Sequence, residues 1–390
     1  MSLFRKIAVA LATLSVLVLM GCSEQPLNMR EGVTEISKEV YELHMIAFWV
    51  CVAIGIVTFG AMFYSMWAHR KSKNPVPAKF SHSTTVELIW TIIPFIILIA
   101  LAWPAASLLN KMEVAEGDDF DLEIIVKGWQ WKWEYKYLDN DDNLRNDVSF
   151  FSNLEQNSRD LSVNSEKMTF SAEKITDEKF LLEVDNPLVI PVNKKVKFLV
   201  TAEDVIHSFW VPDFSVKKDA VPGLINDVWA IVPETGIYRG VCAELCGKDH
   251  GFMPIVVKVV EQAEYDAWYA EKVAAAEAGP DLNDRTMAQL MSEGETAYLK
   301  YCSACHMPNG EGTGPFPTLV GAESIQGDIK THVDIVLNGV PGTAMQAFAA
   351  QLTPAEIAAI VTYERNAWGN DMKDKVQPQE VEDQKNGGGE

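Results

Sequence analysis

The densest group of soft metal donors in this chain lies in one short segment, Cys242-Ala-Glu-Leu-Cys246-Gly-Lys-Asp-His250-Gly-Phe-Met253, called here the thiolate loop (residues 242–253). Thiolate, thioether and imidazole prefer copper or zinc over magnesium or calcium, and Met beside Cys and His favours a copper electron-transfer site. Two cysteines four residues apart can clamp one metal or bridge two. Structural zinc and a plain disulfide of the kind common in exported proteins are the alternatives.

A second donor set is the C-x-x-C-H string Cys302-Ser-Ala-Cys305-His306. Its thiols can bond to the vinyl groups of a haem while the imidazole binds the iron from one side, so the string predicts a c-type haem. A redox dithiol is the competing interpretation.

The thiolate loop resembles the loop of cytochrome c oxidase subunit II that holds the mixed-valence dicopper centre CuA, with the pattern C-x-E-x-C-G-x-x-H-x-x-M. Every ligand position matches. The resemblance implies that the two cysteines bridge the coppers and that the carbonyl of Glu244 is a ligand, while the Glu244 side chain reaches a magnesium ion at the contact with subunit I. The implied copper ligand set is His207, Cys242, Glu244, Cys246, His250 and Met253.

The upstream histidine of this set lies in Ala-Glu-Asp-Val-Ile-His207-Ser-Phe-Trp, similar to the family's E-D-V-x-H-S-W segment, with Phe209 where the family has Trp. An isolated histidine after a strand is usually a surface residue. Without it the copper set is one ligand short, so we expect His207 to bind copper.

The string Trp129-Gln-Trp131-Lys-Trp133 predicts three indoles on one face of a strand, which a packed core or a domain contact would also explain. The family has a comparable H-Q-W-x-W string. The resemblance implies that Trp131 corresponds to the residue that receives electrons from soluble cytochrome c in relatives. Here Trp129 replaces a histidine and Lys132 replaces an aromatic residue.

The segment after residue 286 resembles a class I cytochrome c, with helices predicted at 287–300, at about 330–338 and from the Thr353-Pro354 cap signal to about 368. The resemblance implies that Met345, between two of these helices, is the second axial ligand of the haem iron. It also implies that the carbonyl of Pro317 accepts the ring N–H of His306 and fixes its tautomer.

Two apolar stretches, at about 43–67 and 88–109, are each near the roughly 20 residues that a transmembrane helix needs. The basic loop between them favours the cytoplasm, which places the following chain on the outer face. Glu87 begins the second span. It is either a snorkelling side chain or, as the resemblance implies, a proton-collecting carboxylate at the mouth of a pathway into subunit I.

At the N-terminus, Arg5 and Lys6 precede an apolar run at 7–20, followed by Gly21-Cys22. This order is typical of a lipoprotein signal peptide, with Cys22 as the lipidated first residue of the mature chain. An uncleaved membrane anchor is the alternative.

The expected architecture is therefore multidomain: a two-helix transmembrane hairpin, an all-β cupredoxin sandwich and an all-α class I cytochrome c domain. The expected strands are 122–126, 129–138, 180–184, 195–201, 228–232, 236–240 and 255–260, in an antiparallel sandwich. The expected divisions are a signal peptide (1–21), an N-terminal segment (22–42), the hairpin (43–110), the copper domain (120–262), a linker (263–285), the cytochrome c domain (286–369) and a disordered acidic tail (370–390). The polar insertion at 140–178 has no assigned role.

The net charge of −21 favours basic partners, although acidic surfaces also keep exported proteins soluble. The resemblance implies the electron-transfer subunit of a proton-translocating oxidase in the bacterial inner membrane, with both redox domains on the periplasmic face. Electrons would pass from a basic soluble or membrane-bound cytochrome c through the haem and the dicopper centre to subunit I, which reduces dioxygen. The other oxidase subunits and membrane lipid are further expected partners, and nucleic acid is not. A CuA-bearing small subunit of a nitric oxide reductase and an anchored electron carrier are the alternatives.

Overall fold

The structure, a computed structural model, describes residues 28–76, 79–114, 119–138, 148–155, 158 and 179–387. The predicted signal segment with Cys22 and most of the polar insertion lie outside the described residues.

Two long helices form the N-terminal hairpin, α1 (Glu35–Ala68) and α2 (Thr84–Glu113). By length and composition both could cross a membrane. Helix α1 begins eight residues before the expected span because Thr34 caps it, its side chain accepting a hydrogen bond from the backbone N–H of Ser37. Lys111, near the end of α2, pairs with Glu35 at 2.8 Å, which joins the two helices at their outer end.

The middle of the chain folds into two five-stranded sheets packed face to face. The strands are β1 (Leu122–Trp129), β2 (Lys132–Leu138), β3 (Ser149–Ser152), β4 (Leu188–Pro191), β5 (Lys195–Ala202), β6 (His207–Val211), β7 (Val216–Ala220), β8 (Asn226–Ile231), β9 (Gly236–Cys242) and β10 (Ile255–Val260). The sheet orders are β3-β2-β1-β5-β8 and β4-β10-β9-β6-β7. The predicted all-β sandwich is thus confirmed, and alternate residues such as Ile124, Val126 and Phe198 fill its core.

Three details of the predicted strands were wrong. The sandwich is not wholly antiparallel, because β1 runs parallel to β5 and β10 runs parallel to β4. Residues 180–184 form a turn with Leu181 at a φ of 60°, and only Val184 makes an isolated bridge, to Leu154. Hydrophobicity alone could not show this, since a run of five residues is too short for its periodicity to identify a strand. Strands β3, β4, β6 and β7 were not expected.

Helix α3 (Gln262–Ala278) follows β10, as its sequence predicts, but it is part of the sandwich unit and not of the linker expected at 263–285. It is packed on the sandwich, where the ring of Trp268 lies 5.2 Å from that of Tyr137 and Tyr265 and Tyr269 pack on the same core. Aromatic burial of this kind fixes the helix in place. The linker between the sandwich and the C-terminal helices is therefore confined to the residues between α3, which ends at Ala278, and the helix that begins at Met287.

The C-terminal region, the haem unit (residues 287–387), is helical as predicted. Its helices are α4 (Met287–Tyr301), α5 (Ser303–His306), α6 (Glu323–Gln326), α7 (Ile329–Asn338), α8 (Pro354–Asn366) and α9 (Pro378–Gly387). The prediction of a disordered tail after residue 370 was wrong for residues 371–387. Val376 and Val381 are almost fully buried against the core of the unit, and this apolar anchoring outweighs the acidic composition of the tail.

Candidate metal centre and haem site

The thiolate loop connects β9 to β10, and the neighbouring strand β6 brings His207 beside it. Phe209 of β6 is paired with Cys242 at the end of β9. The backbone N–H of Ala243 donates to the carbonyl of Ser208 at 3.0 Å, which continues the ladder one step into the loop. Strand pairing therefore holds two distant chain segments in register and sets the position of the donors.

The two sulfurs of the thiolate loop are close but not bonded. The Sγ atoms of Cys242 and Cys246 lie 3.9 Å apart, whereas a disulfide bond is about 2.05 Å long. With metal–sulfur bonds of about 2.3 Å, a metal ion between them can reach both atoms. The ligand atoms of His207, Cys242 and Cys246 all lie within 4.8 Å of one another, and all three residues are buried.

Each sulfur has two further donors beside it. The neighbours of Cys242 Sγ are the carbonyl oxygen of Glu244 at 3.4 Å and Nδ1 of His207 at 4.0 Å. The neighbours of Cys246 Sγ are Nδ1 of His250 at 3.4 Å and Sδ of Met253 at 3.6 Å. This arrangement brings together all six residues that the sequence predicted, in two halves that share the sulfur pair. The donor set fits a soft metal pair.

The ring of His207 is fully buried, and two contacts fix its orientation. Its Nε2 lies 2.9 Å from Oδ1 of Asp204, which leaves Nδ1 turned to the thiolate loop. A Cβ on Gly128 would lie 2.8 Å from Cδ2 of the ring, so only glycine leaves room for it. Burial lowers the pKa of His207, but the hydrogen bonds with Asp204 and Cys242 outweigh it, and the net pKa is raised.

The thiols ionise as a pair. The pKa of Cys242 is lowered, because Cys246 donates a hydrogen bond to its thiolate and His207 adds another. The pKa of Cys246 is raised, because its thiol proton is held in the hydrogen bond to Cys242, because the site is buried and because a second thiolate would form beside the first. Two adjacent thiolates therefore need a cation between them, and a metal ion supplies one.

The three indoles do not share one strand face as predicted, because Gln130 and Trp131 form the turn between β1 and β2. Trp131 is half-buried, and its Nε1–H donates to the carbonyl of Cys246 at 3.1 Å. Trp133 is fully buried, and its Nε1–H donates to the carbonyl of Met253 at 3.2 Å. The turn thus reaches the thiolate loop directly.

Two carboxylates singled out in the sequence lie away from these donors. The side chain of Glu244 is exposed beside Leu245, whose side chain is 78% exposed. Glu87 lies in the first turn of α2, where an acid also favours the positive end of the helix dipole.

The haem motif lies at the end of α4. Cys302 caps that helix, and α5 carries Cys305 and His306 through the next turn, with both thiols free. Nδ1 of His306 lies 2.9 Å from the carbonyl oxygen of Pro317, the contact that the resemblance implied. A donated Nδ1–H leaves Nε2 as the atom available to iron, so these residues fit a c-type haem.

A glycine allows that contact. Gly312 has a φ of +68°, and a Cβ there would lie 2.5 Å from the carbonyl oxygens of Phe316 and Pro317. Any other residue would strain the backbone and displace the acceptor of the His306 ring.

Met345 lies in the loop between α7 and α8. It is half-buried, and it packs against the same hydrophobic cluster as Cys302. The backbone N–H of Val340 donates to its carbonyl at 2.9 Å, which folds the loop back on itself.

The two units touch at their candidate sites. Lys248 of the thiolate loop donates from Nζ to the carbonyl of Ala304, inside the haem motif, at 2.6 Å. Lys300 of α4 pairs with Asp185 of the sandwich at 2.7 Å. Nothing in the sequence indicated these particular contacts or the hydrogen bond of Asp204 to His207. The lysine at position 132, where the family has an aromatic residue, was a signal that the two units touch, because the Lys132 side chain is buried between them.

Comparison with known proteins agrees with this division. The model of cytochrome c oxidase subunit II, periplasmic domain, matches residues 122–260, and that of its transmembrane domain matches 22–108. The model of cytochrome c oxidase, cbb3-type, subunit III matches residues 289–363.

Individual relatives are subunits 2 of cytochrome c oxidases. A probable cytochrome c oxidase subunit 2 of Rickettsia bellii is 38% identical over 66% of this chain and 89% of its own length. Cytochrome c oxidase subunit 2 of Cereibacter sphaeroides is 38% identical over 58% of this chain and 75% of its own. The crystal structure of the periplasmic domain of subunit II from Bradyrhizobium japonicum is 38% identical and covers 40% of this chain and 94% of its own, with a TM-score of 0.32. This chain therefore belongs to the cytochrome c oxidase subunit II family, and it carries a cytochrome c domain after the periplasmic domain.

Proposed function

We propose that this chain accepts electrons from a donor cytochrome c and passes them through its own c-type haem and a dicopper centre to oxidase subunit I, where dioxygen reduction drives proton translocation. The observation that carries the proposal is the direct contact between a full soft donor set and a C-x-x-C-H helix end, through Lys248 and Ala304. When bound, the haem and the copper pair supply one-electron carriers, and the protein supplies their position and surroundings.

In this proposal six groups of the sandwich hold the copper pair: the side chains of His207, Cys242, Cys246, His250 and Met253 and the backbone carbonyl of Glu244. Strand pairing between β6 and β9 holds His207 and Cys242 in place, and the loop from Cys242 to Met253 carries the other donors. The burial of Cys242, Cys246 and Met253 excludes water from the site.

In the haem unit, Cys302 and Cys305 would hold the haem through their thiols, and His306 and Met345 would supply ligands to its iron. The carbonyl of Pro317 keeps the His306 ring in the tautomer that leaves Nε2 free. Support for Met345 comes from its packing beside Cys302 on one apolar cluster.

Four further roles belong to the same proposal. Trp131 accepts electrons at the surface of the sandwich, which its hydrogen bond to the Cys246 carbonyl supports. The exposed Glu244 side chain binds magnesium at the contact with subunit I. Glu87 collects protons at the cytoplasmic end of α2. Cys22 carries lipid, and the chain lies in the bacterial inner membrane with both redox sites on the periplasmic side.

The test is metal and haem analysis of the full chain in detergent after copper loading. We expect two copper ions and one haem per chain, and an electron spin resonance signal in which one unpaired electron is shared by two copper nuclei. Cys242→Ser should abolish that signal and leave the haem spectrum unchanged.

Cys51→Ser is the matched control, because Cys51 is an exposed thiol in α1, away from both sites. It should bind copper and haem like the unaltered chain. An unaltered chain that binds no copper when copper is in excess, or that contains a Cys242–Cys246 disulfide, would refute the proposal.

A further inference from the structure

A chain of hydrogen bonds, continued through the covalent bonds of Gln130, runs between the haem unit and the thiolate loop. Nζ of Lys132 donates to Oε1 of Gln351, and Nε2 of Gln351 donates to Oε1 of Gln346 at 3.0 Å. Nε2 of Gln346 donates to the backbone carbonyl of Gln130 at 3.1 Å. Nε2 of Gln130 donates to the backbone carbonyl of Cys246 at 2.9 Å. We call the three glutamines the amide relay.

The lysine at the head of the relay sets its direction. An ammonium group donates hydrogen bonds and cannot accept them, so the oxygen of Gln351 must face Lys132 and its NH₂ must face away. The NH₂ of Gln351 donates to the carbonyl of Ala347 and to the oxygen of Gln346, whose own NH₂ is left for the carbonyl of Gln130. Bonds aligned in one direction polarise one another and gain strength in a buried place.

Lys132 is a costly residue to bury, and both units are needed to bury it. Its side chain is 4% exposed, and its Nζ lies 4.9 Å from the ring centre of Phe151 in the sandwich. The rings of Tyr301 and Phe348 in the haem unit lie at 5.5 and 5.6 Å. Three rings and the neutral acceptor Gln351 replace the water that a buried ammonium loses. The charge of Lys132 is therefore compensated only when the two units pack in this arrangement.

The other end of the relay meets the supports of the candidate copper ligands. Gln130 donates from its backbone N–H to Oδ2 of Asp204 at 2.7 Å, and Oδ1 of the same carboxylate holds Nε2 of His207. On the haem side, Gln346 directly follows Met345 in the chain. The relay thus joins the residue beside one candidate axial ligand to the carbonyl of one candidate copper ligand.

We propose that the amide relay fixes the Met345 loop against the thiolate loop and is a bonded path for electrons between the two sites, beside the contact of Lys248 with Ala304, with Gln346 and Lys132 as positioning residues. The inference rests on the proposed function, because it needs a haem and a copper pair at these sites. One electron moves: the group beside Met345 loses it, the group at Cys246 gains it, and no bond is made or broken. Covalent and hydrogen bonds carry electronic interaction better than a gap between surfaces does.

The test compares Gln346→Leu with Gln326→Leu in the full chain, loaded with copper and haem in detergent. Leucine keeps the bulk of Gln346 and removes its donor. Gln326 makes the matched control, because it lies in the same unit and its amide donates to Asn370 inside that unit. After photoreduction of the haem, electron transfer to copper should be severalfold slower in Gln346→Leu and unchanged in Gln326→Leu. The haem potential and the copper spin resonance signal should not change.

A second measurement needs no copper. In the copper-free chain, amide hydrogen exchange at residues 128–132 and 242–253 should be faster in Gln346→Leu than in Gln326→Leu, because the loop has lost its support. Lys132→Met, which removes the donor at the head of the relay, should give the same two effects and replaces Gln346→Leu if that variant does not fold.

Two results would overturn the relay. One is that neither the rate of electron transfer nor the amide hydrogen exchange changes in Gln346→Leu. The other is a slower rate that is explained by a shifted haem potential, which would mean that the substitution acts through Met345. An unaltered chain without copper or haem would instead refute the proposed function, and the exchange measurement would still decide whether the relay holds the loops together.

Discussion

The candidate copper site takes His207 and Cys242 from paired strands of one sheet and its other donors from the loop between β9 and β10, whereas the haem unit takes His306 from a helix end and Met345 from an irregular loop. In the sandwich, the ladder between β6 and β9 places His207 and Cys242 before any metal binds. In the haem unit, one hydrogen bond fixes the ring of His306, and the side chain of Met345 is held by packing while its backbone bonds to Val340 and Thr343. Metal binding at the copper site, which the sheet preforms, should therefore be sensitive to steric changes in that sheet. Haem ligation, which depends on single side chains, should be sensitive to the loss of one of them.

Gly128→Ala should have the largest effect on the preformed site. The new Cβ would lie 2.8 Å from the ring of His207 and force it away from the sulfurs. Overpacking of this kind costs about 1–3 kcal/mol of stability, and we expect copper binding to be lost. Copper content and thermal unfolding measure both effects.

Gly236→Ala in β9 is the control, since its Cβ would make ordinary contact at 3.5 Å with Tyr238. Full copper binding in Gly128→Ala would show that the ring position is set by the metal and not by the sheet.

Met345→Ala should change the haem and leave the copper signal intact. Loss of a thioether ligand should lower the haem potential by on the order of 0.1 V or more, within the ~0.8 V range that axial ligands span. Redox titration and visible spectra of the full chain measure the change.

Met307→Ala serves as its control, because Met307 adjoins His306 but has the left-handed backbone of a turn, with a φ of 65°. If Met307→Ala altered the potential and Met345→Ala did not, another thioether would be the axial ligand.

Lys132→Met tests the cost of a charge buried between the two regions. Burial lowers the pKa of Lys132 from 10.5 to about 8. The folded chain therefore loses this proton before the unfolded chain does, so the cost is fully present below pH 8 and is relieved as pH rises to 10.5. At about 1.4 kcal/mol per pH unit, the unaltered chain should gain roughly 3 kcal/mol relative to Lys132→Met over this window.

Denaturant unfolding of both chains at pH 7.5, 9 and 10.5 measures the difference in their free energies of unfolding. Other groups that titrate in this range are present in both chains, so their contributions cancel in the difference. A difference that stays constant with pH would mean that Lys132 keeps its charge in the folded chain.

Lys300→Met should have the smallest effect. Burial lowers the pKa of Lys300, but Tyr301 and Asp185 outweigh it and the net pKa is raised. The ion pair with Asp185 therefore adds stability below about pH 10.4, and this is lost as pH rises through the folded pKa. About 1 kcal/mol is expected at pH 7, measured by denaturant unfolding.

Lys373→Met is the comparison, since the pair of Lys373 with Asp371 is 3.7 Å long and largely exposed. Equal effects of the two substitutions would mean that the contact between the units contributes no more than a surface pair.

The sequence predicted most where chemistry is local. The thiolate loop and the C-x-x-C-H string are short motifs whose spacing limits their geometry, and the structure brings their donors together. The hairpin followed from hydropathy alone. The turn at 180–184 was mistaken for a strand, and β6, which carries His207, was missed, because five residues are too few to show a period.

What could not be predicted is the contact between distant segments. The relay joins Gln346 to Gln130, and Lys132 to Gln351, across more than two hundred residues. A glutamine has no distinctive pattern in a sequence, and its partners depend on how two units dock. The docking of α3 and α9 was missed for the same reason, since their aromatic and valine anchors are sparse.

The segment before α1 also ties the hairpin to the sandwich. The backbone N–H of Val33 donates to the carbonyl of Asp213 at 2.9 Å, and the hydroxyl of Thr34 donates to the carbonyl of Phe214. Both carbonyls lie directly after β6, which ends at Val211. From the other helix, Lys218 of β7 pairs with Glu113 at 3.0 Å. A displacement of the two candidate membrane helices would therefore be carried to the strand that holds His207 and would disturb the donors of the thiolate loop.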